Sequence, residues 1–425
     1  MTLAGGARLL SGPPLDQGAE PLAAHRARLG PRPRGGLGLI ETLKASGLNG
    51  RGGAGFPAWR KWALVAERAV GRAIVVVNAA EGEPASHKDQ TLLRHRPHLV
   101  LDGAQLAAET VGASHVIIYL SRTCDGQRRA LEHALHERRI AGDDAVRPSV
   151  VTCPHRYVAG EASALVNGIN TGVAKPMAVP PRAFERGVDG RPTLVQNAET
   201  IAHAALIARF GAAWFRSVGT AASPGTALIS VCGAVVSSGV YEISLGVTLD
   251  HAIGCADGMS EAPQAVLLGG YFGTWLAADR IGTLHLERAE LDAAGASFGC
   301  GVIVVLPRSR CGLVEAASVL TYLAAQSAGQ CGPCVFGLPS VASTMTRIAD
   351  GDGHSADPAL LRRWSTEIAG RGECRLPDGA VRHLQSAMTT FAADLERHLD
   401  GARCAVAGRQ APMLPIASGA DEWVA

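Results

Sequence analysis

Aromatic side chains make up only 4% of the 425 residues, so any aromatic beside a glycine loop stands out. Lysine is scarcer still. The forty basic residues include four lysines, and three of these, Lys61, Lys88 and Lys175, fall in segments that carry chemistry. No uncharged apolar run reaches the roughly 18 residues a membrane span needs, which argues against direct membrane insertion. The first residues, with Pro13, Pro14, Pro31 and Pro33 among arginines, lack the apolar block of a signal peptide, so a soluble cytoplasmic protein is expected. Neither charge sign dominates. Forty basic against thirty-eight acidic residues leave a net charge of +2, too little for the broad positive field that binds nucleic acid. Ten cysteines are too few in so long a chain for a disulfide scaffold.

What is present is ample apolar material: 47% hydrophobic against 18% charged side chains closes more than one core. Residues 1–36, rich in Gly, Pro and Arg without periodicity, read as a flexible N-terminal arm. From 37 to 222 helical stretches alternate with β-branched runs at 73–77, 116–120 and 149–152, the pattern of an α/β domain over a mostly parallel sheet. From 223 to 308 a compact β-rich unit follows, resembling a small ubiquitin-like β-grasp module. Residues 309–405 carry helical periodicity with a cysteine pair between two helices, and 406–425 form a tail.

Gly50-Arg51-Gly52-Gly53-Ala54-Gly55-Phe56-Pro57 places dense glycines before a helix that Pro57 is able to open. Such a loop lets successive backbone amides converge on one anion, and the helix N-terminus adds partial positive charge. A phosphate is the expected occupant, with Arg51 and Lys61 adding charge; a plain surface turn is the alternative. The loop is not a Walker loop, since no Gly-Lys-Ser/Thr follows, and no strand precedes it as in a Rossmann fingerprint.

The 73–77 strand runs into Asn78-Ala79-Ala80-Glu81-Gly82-Glu83-Pro84 at a strand end, where ligand crevices of open α/β sheets lie. Acids do not hold phosphates, but Asn78 can bond a flavin or nicotinamide edge in both donor and acceptor senses, and Glu81 and Glu83 can accept from hydroxyls. A solvated loop is the competing reading. Gly160-Glu161 starts another helix, Lys175-Pro176 with Pro180-Pro181 reads as a rigid extended crossing, and the segment from Thr193 through Asn197 to Thr200 is expected to open a further helix.

Gly50 to Pro57 with Lys61-Trp62, Asn78 to Pro84, Lys88-Asp89, Gly160-Glu161, Lys175-Pro176, Gln196-Asn197 and Gln330-Cys331-Gly332-Pro333-Cys334 occur in one order. This set resembles the NADH-binding flavoprotein subunit of respiratory complex I and its relatives in NAD-dependent hydrogenases and formate dehydrogenases. The resemblance spans about residues 37–405. It implies an FMN-binding α/β domain, a soluble-ligand-binding β-grasp domain and an all-helical iron–sulfur domain. It further implies that Gly50, Arg51, Gly52, Gly53, Gly55 and Lys61 hold FMN, that Asn78 and Asn197 bond the flavin, and that Phe56, Glu81, Glu83, Gly160 and Glu161 border the nucleotide pocket. Cys331, Cys334 and Cys374 are the implied metal ligands. The implied activity passes electrons between NAD(H) or NADP(H) and an iron–sulfur acceptor such as ferredoxin or another iron–sulfur protein, with no side chain assigned a catalytic role.

The chain departs from that pattern in two places. Ala328 stands where the family has the first cluster cysteine, leaving three thiolates. A four-iron cluster with a fourth ligand such as Ser327, Cys404 or Cys311, a three-iron cluster, no cluster, or zinc on the Cys-x-x-Cys pair are all open at this point. In the nucleotide pocket, Leu64 and Arg182 replace aromatics that would sandwich adenine, and Ala80 and Ala162 replace acids. That leaves NADH, NADPH or neither as the nucleotide. A flavin adaptor that oxidises no nucleotide and a non-catalytic assembly or ligand-sensing subunit are the competing functions.

Overall fold

A computed structural model describes residues 6–401, 411–416 and 422–424. The first sheet joins Ala73–Ala79 (β1), Ala113–Ser121 (β2), Pro148–Cys153 (β3) and Thr193–Asn197 (β4) in the order β3-β2-β1-β4, every pair parallel. β1 is an unbroken apolar run because both of its faces are covered, as expected for a parallel sheet. Val75 and Val77 pack with Trp62, Leu99 and Ile201 on one face, while Ile74 and Val76 pack with Leu165 and Val166 on the other. The segment from Thr193 differs from the sequence expectation. Its first five residues are a strand, and the helix, Ala198–Phe215, begins only after Asn197. A five-residue strand between a turn and a long helix offers too short a pattern to show its own period.

The second sheet contains Thr226–Gly233 (β5), Gly239–Ser244 (β6), Pro263–Leu268 (β7), Thr274–Ala277 (β8) and Val302–Pro307 (β9) in the order β6-β5-β9-β7-β8. β5 and β9 run parallel and the other neighbours antiparallel. One face, with Val266, Leu268, Ile303 and Val305, packs on the helix Leu249–Gly254. The other, with Leu267, Val304 and Trp275, packs on the helices Gly312–Ala325, Leu338–Ala349 and Leu376–Thr390. Strand alternation thus divides two cores across one sheet.

Residues 6–36 are not the free arm their composition suggests. The backbone N–H groups of Arg8, Leu9 and Leu10 donate to the buried Glu242 carboxylate at 2.9, 3.1 and 3.0 Å. Arg96 donates to the carbonyls of Leu10, Ser11 and Pro13, and Leu22–Leu29 is a helix. Composition does not reveal this because the anchoring partners lie far along the chain. Among the described residues no helix is long and apolar enough to cross a membrane.

Candidate functional site

In the order β3-β2-β1-β4 the chain leaves β1 to one side for β2 and β3 and returns on the other for β4. The crevice of such a sheet opens at that reversal, beyond the carboxyl ends of β1 and β4. Asn78 and Asn197 are register partners there. Asn78 Nδ2 donates to the Gly160 carbonyl at 2.7 Å, and its Oδ1 accepts from Ala80 N at 3.2 Å. Asn197 caps the helix Ala198–Phe215 by accepting from Thr200 N at 3.3 Å, and its Nδ2 donates to Asp89 Oδ2 at 2.6 Å. Asn78 keeps one N–H and one lone pair for a ligand, whereas Asn197 Oδ1 also accepts from Thr200 Oγ1 at 3.5 Å and keeps only one N–H.

The glycine loop is seated on the same helix end. Arg51 N donates to Thr200 Oγ1 at 2.9 Å, and a β-carbon on Gly52 would lie 3.2 Å from Asn197 Cβ. The loop is closed at its base by Gly50 N to Phe56 O at 2.9 Å and Ala58 N to Leu48 O at 3.0 Å. Pro57 serves as the cap and the helix proper is Ala58–Ala69, one residue later than the sequence suggests. Gly53, at φ +103°, needs a left-handed backbone that only glycine adopts without strain, and a β-carbon there would meet open space. Lys61 lies in the first turns of that helix, half-buried, with no hydrogen bond or ion pair among the described residues. Burial lowers its pKa, opposed by the Glu161 carboxylate. An unpartnered half-buried cation beside an open cradle of amides fits a phosphate-bearing coenzyme.

Arg51 is a correction to the expected charge of the loop. Its guanidinium turns inward, donating to the Thr226 carbonyl at 3.0 Å and lying 3.9 Å from Glu199 Oε1, so its charge is spent on the interior. The two loop acids are engaged as well. Glu81 accepts from Ser86 Oγ, Asp89 N and Gln90 N, capping the helix Lys88–His95. Glu83 is buried and accepts from Tyr157 Oη at 2.7 Å, Tyr271 N at 2.8 Å and Ala85 N at 3.3 Å. Burial pushes both carboxyls up to about 7, with the Asp89 charge adding to the effect on Glu81. Glu161 caps the helix Ala162–Thr171 through Ser163 N and Ala164 N. Gly160 lies against Asn78, where a β-carbon would come within 3.4 Å of Oδ1. Phe56 is 39% exposed at the loop's end.

Beneath the crevice is a buried ionic cluster that sequence reasoning did not assemble. Lys88 Nζ lies 2.8 Å from Glu199 Oε2 and 3.1 Å from Asp89 Oδ1, and Glu199 Oε1 accepts from Leu228 N on β5. Burial acts to raise the Glu199 pKa, but Lys88, His203 and Arg51 together hold it down to about 2. Lys88, Asp89 and Glu199 are visible in the sequence as polar residues beside glycines and helix starts. Their convergence is not, because Glu199 is 111 positions from Lys88.

The cysteine site lies between helices. Cys331 and Cys334 enter the π-turn Pro333–Gly337, and Cys374 precedes the helix Leu376–Thr390. Burial raises the Cys334 thiol to about 12, opposed by the nearby Ser327 hydroxyl and reinforced by Cys331 and Cys374. Burial likewise raises Cys374, and Glu161 adds to this from the glycine-loop side. Among the described residues no group of three or more His, Cys, Asp or Glu side chains converges on one metal ion. An iron–sulfur cluster takes its thiolates on different irons around a shared space, and a donor set of three soft sulfurs suits it. Cys311 is turned to His398 Nε2 at 3.8 Å, and Cys404 lies outside the described residues. Arg182 is exposed, and Ala80 is buried.

Residues 43–205 match the family described as the Nuo51 FMN-binding domain, and 314–398 match the NADH-ubiquinone oxidoreductase-F iron-sulfur binding region. An NADH-quinone oxidoreductase F protein of Rhizobium meliloti is 30% identical over 380 residues, covering 86% of this chain and 90% of that protein. Its counterpart in Rickettsia bellii is 31% identical over 376 residues, covering 85% and 90%. An air-oxidized NAD+-reducing [NiFe]-hydrogenase structure aligns with a TM-score of 0.79 at 31% identity, over 85% of this chain and 62% of the hydrogenase chain, so this protein spans under two thirds of that neighbour. With the crevice at β1 and β4, the open glycine loop and the three-thiol site all in place, the chain belongs to the NADH-quinone oxidoreductase F family.

Proposed function

We propose that this chain is an NADH dehydrogenase-like flavoprotein that moves electrons between a nicotinamide nucleotide and iron–sulfur centres. The observation that carries this reading is Lys61, a half-buried cation without a partner, beside an open glycine loop at the β1/β4 crevice. The loop amides from Gly52 to Gly55 and Lys61 would hold the FMN phosphate, the remaining donor and acceptor sites of Asn78 and the second N–H of the Asn197 amide would orient the ring edge, and Gly160 leaves room against Asn78. Phe56 offers an aromatic face, and Glu161 a charge between the flavin and cysteine sites. Glu81 and Glu83 act on this site by fixing the loop that follows β1. Bound FMN supplies a centre that takes a hydride and passes electrons on singly.

The domain reading is an N-terminal strap, an FMN domain over 37–222, a β-grasp domain over 223–308 and a helical iron–sulfur domain over 309–405. The strand order of the second sheet, with its first and last strands parallel at the centre, supports the β-grasp assignment. A ferredoxin or another iron–sulfur protein is the proposed partner and the cytoplasm the proposed location. Anaerobically purified protein reconstituted with FMN should be yellow and should bleach on addition of NADH or NADPH. A colourless product would overturn the flavin assignment. Leu64, Ala80, Arg182 and Ala162 favour one competing reading, a flavin adaptor without nucleotide oxidation; a bound flavin reduced by ferredoxin but by neither nucleotide would establish it.

A further inference from the structure

Residues 411–416 and 422–424 follow the last helix, Ala392–Leu399, and are held in two different ways. The first stretch is rooted. Met413 N and Leu414 N donate to the buried Glu315 carboxylate at 2.9 and 3.2 Å, Leu414 is itself buried, and the Tyr271 hydroxyl donates to the Pro415 carbonyl. The second stretch makes a lighter contact with the segment after the helix Ala162–Thr171. Val424 forms an antiparallel bridge with Val173, Trp423 O accepts from Ala174 N at 2.9 Å, and Arg122 donates to the Val424 carbonyl. Trp423 is half-buried, with the Arg156 guanidinium 4.2 Å and the Lys175 ammonium 5.8 Å from its ring centroid.

Both cations stand on the rim of the crevice. Arg156 and Tyr157 run so close to the turn after β1 that a β-carbon on Gly82 would lie 2.9 and 2.5 Å from their carbonyl oxygens. Two residues beyond Lys175, Met177 N donates to Ser163 Oγ at 3.0 Å, and Ser163 Oγ donates to Glu161, next to the Gly160 carbonyl that meets Asn78. The tail therefore clasps two of the segments that close around Asn78.

We propose that residues 422–424 are an autoinhibitory clasp that occupies Arg156 and Lys175 until an anionic nicotinamide dinucleotide displaces it. This rests on the nucleotide reading of the crevice. The Trp423 ring draws the two cations through its quadrupole, an attraction that a pyrophosphate exceeds because it carries full negative charge and accepts charge-assisted hydrogen bonds. Asp421 and Glu422 precede the ring in the sequence, so the tip brings acids of its own to compete for the same cations. The root at Glu315 keeps a released tip nearby at high effective concentration, and the clasp recloses once the nucleotide leaves. It sets a threshold of nucleotide concentration and is not a permanent block.

The test uses the full chain reconstituted with FMN, its Trp423→Ala variant, and a variant ending at residue 416 that keeps the root. Affinity for NAD+ and NADP+ is measured by calorimetry, which needs no turnover, with FMN content and a thermal melt taken on each protein. Both variants are expected to bind the preferred nucleotide about 10-fold more tightly, as when a closed form populated about nine times in ten is removed. A synthetic peptide of residues 417–425, added to the shortened chain, should reverse that gain, and FMN content should not change. Equal affinity in the three proteins overturns the clasp and leaves the nucleotide reading standing. Weaker binding by the variants overturns it as well and places Trp423 among the nucleotide's contacts. If none of the three binds either nucleotide, the nucleotide reading fails and the clasp with it.

Discussion

The Tyr157 hydroxyl donates a 2.7 Å hydrogen bond to the Glu83 carboxylate, joining the acidic turn after β1 to the segment that packs on the second sheet and the C-terminal helices. Tyr157 packs at 4.6 Å against Phe272 with the rings tilted by 47° and meets Tyr322 of the helix Gly312–Ala325 edge-on at 6.1 Å. Glu83 also accepts from Tyr271 N, and a β-carbon on Gly270 would come within 2.6 Å of its Oε2. The acid therefore fastens the turn to the second sheet, and its burial there raises its pKa against the opposing pull of the Tyr157 hydrogen bond.

Burial places the Glu83 pKa near 7 in the folded protein against a usual value of 4.5. A carboxyl raised on folding stabilises below about 4.5, and that contribution is lost as pH rises through about 7, up to about 3 kcal/mol in all. Thermal melts of the wild type should fall in stability across this window. Glu83→Gln should flatten the curve there, and an unchanged slope would show that Glu83 is not the group that titrates.

Removing Glu199 leaves Lys88 buried with Asp89 as its remaining partner. Glu199→Ala should cost about 3–5 kcal/mol of unfolding free energy in urea titrations, as expected when one member of a buried pair is deleted. A loss under about 1 kcal/mol would mean that the cluster relaxes to solvent. Because Glu199 is held at about 2, its stabilising share is present above about 4.5 and disappears as pH falls through about 2.

Lys61→Ala should weaken FMN binding about 10- to 100-fold, the scale of one charge-assisted hydrogen bond. With no partner to lose, the apoprotein should keep its stability within about 0.5 kcal/mol. Titration of apoprotein by flavin fluorescence quenching, run beside a melt, separates the two effects. Equal FMN affinity would remove Lys61 from the site.

Asn197 has two duties that substitutions can separate. Asn197→Ser keeps the helix cap but loses the amide and with it the bond to the buried Asp89, so it should cost about 1 kcal/mol of stability while reducing FMN affinity. Asn197→Ala loses both, with a further destabilisation of about 1 kcal/mol. If the two variants bind FMN as tightly as the wild type, the amide does not face the flavin.

The α/β alternation, the β-rich unit and the helical end are legible in the sequence because each repeats its period over many residues. β1, with its five apolar residues before Asn78, stands out, whereas β4 reads as the start of a helix because its five residues run directly into Ala198–Phe215. The inward turn of Arg51 is hidden for a different reason. A cation in a glycine loop reads as a phosphate ligand, and only the position of Glu199 and the Thr226 carbonyl behind the loop turns it away.

By itself the sequence determined what contiguous backbone chemistry requires: a run of glycines before a helix, a strand ending in Asn78 and two acids, and a Cys-x-x-Cys pair preceded by Ala328. Tertiary structure alone decided that Glu83 ties the turn after β1 to the second sheet, that Arg51 turns inward while Lys61 has no ion pair among the described residues, and that Glu242 anchors the N-terminal segment. The division follows from the range of the forces. Backbone conformation responds to immediate neighbours, whereas the partner of a buried charge is whichever group packing brings within hydrogen-bond distance, often from hundreds of residues away.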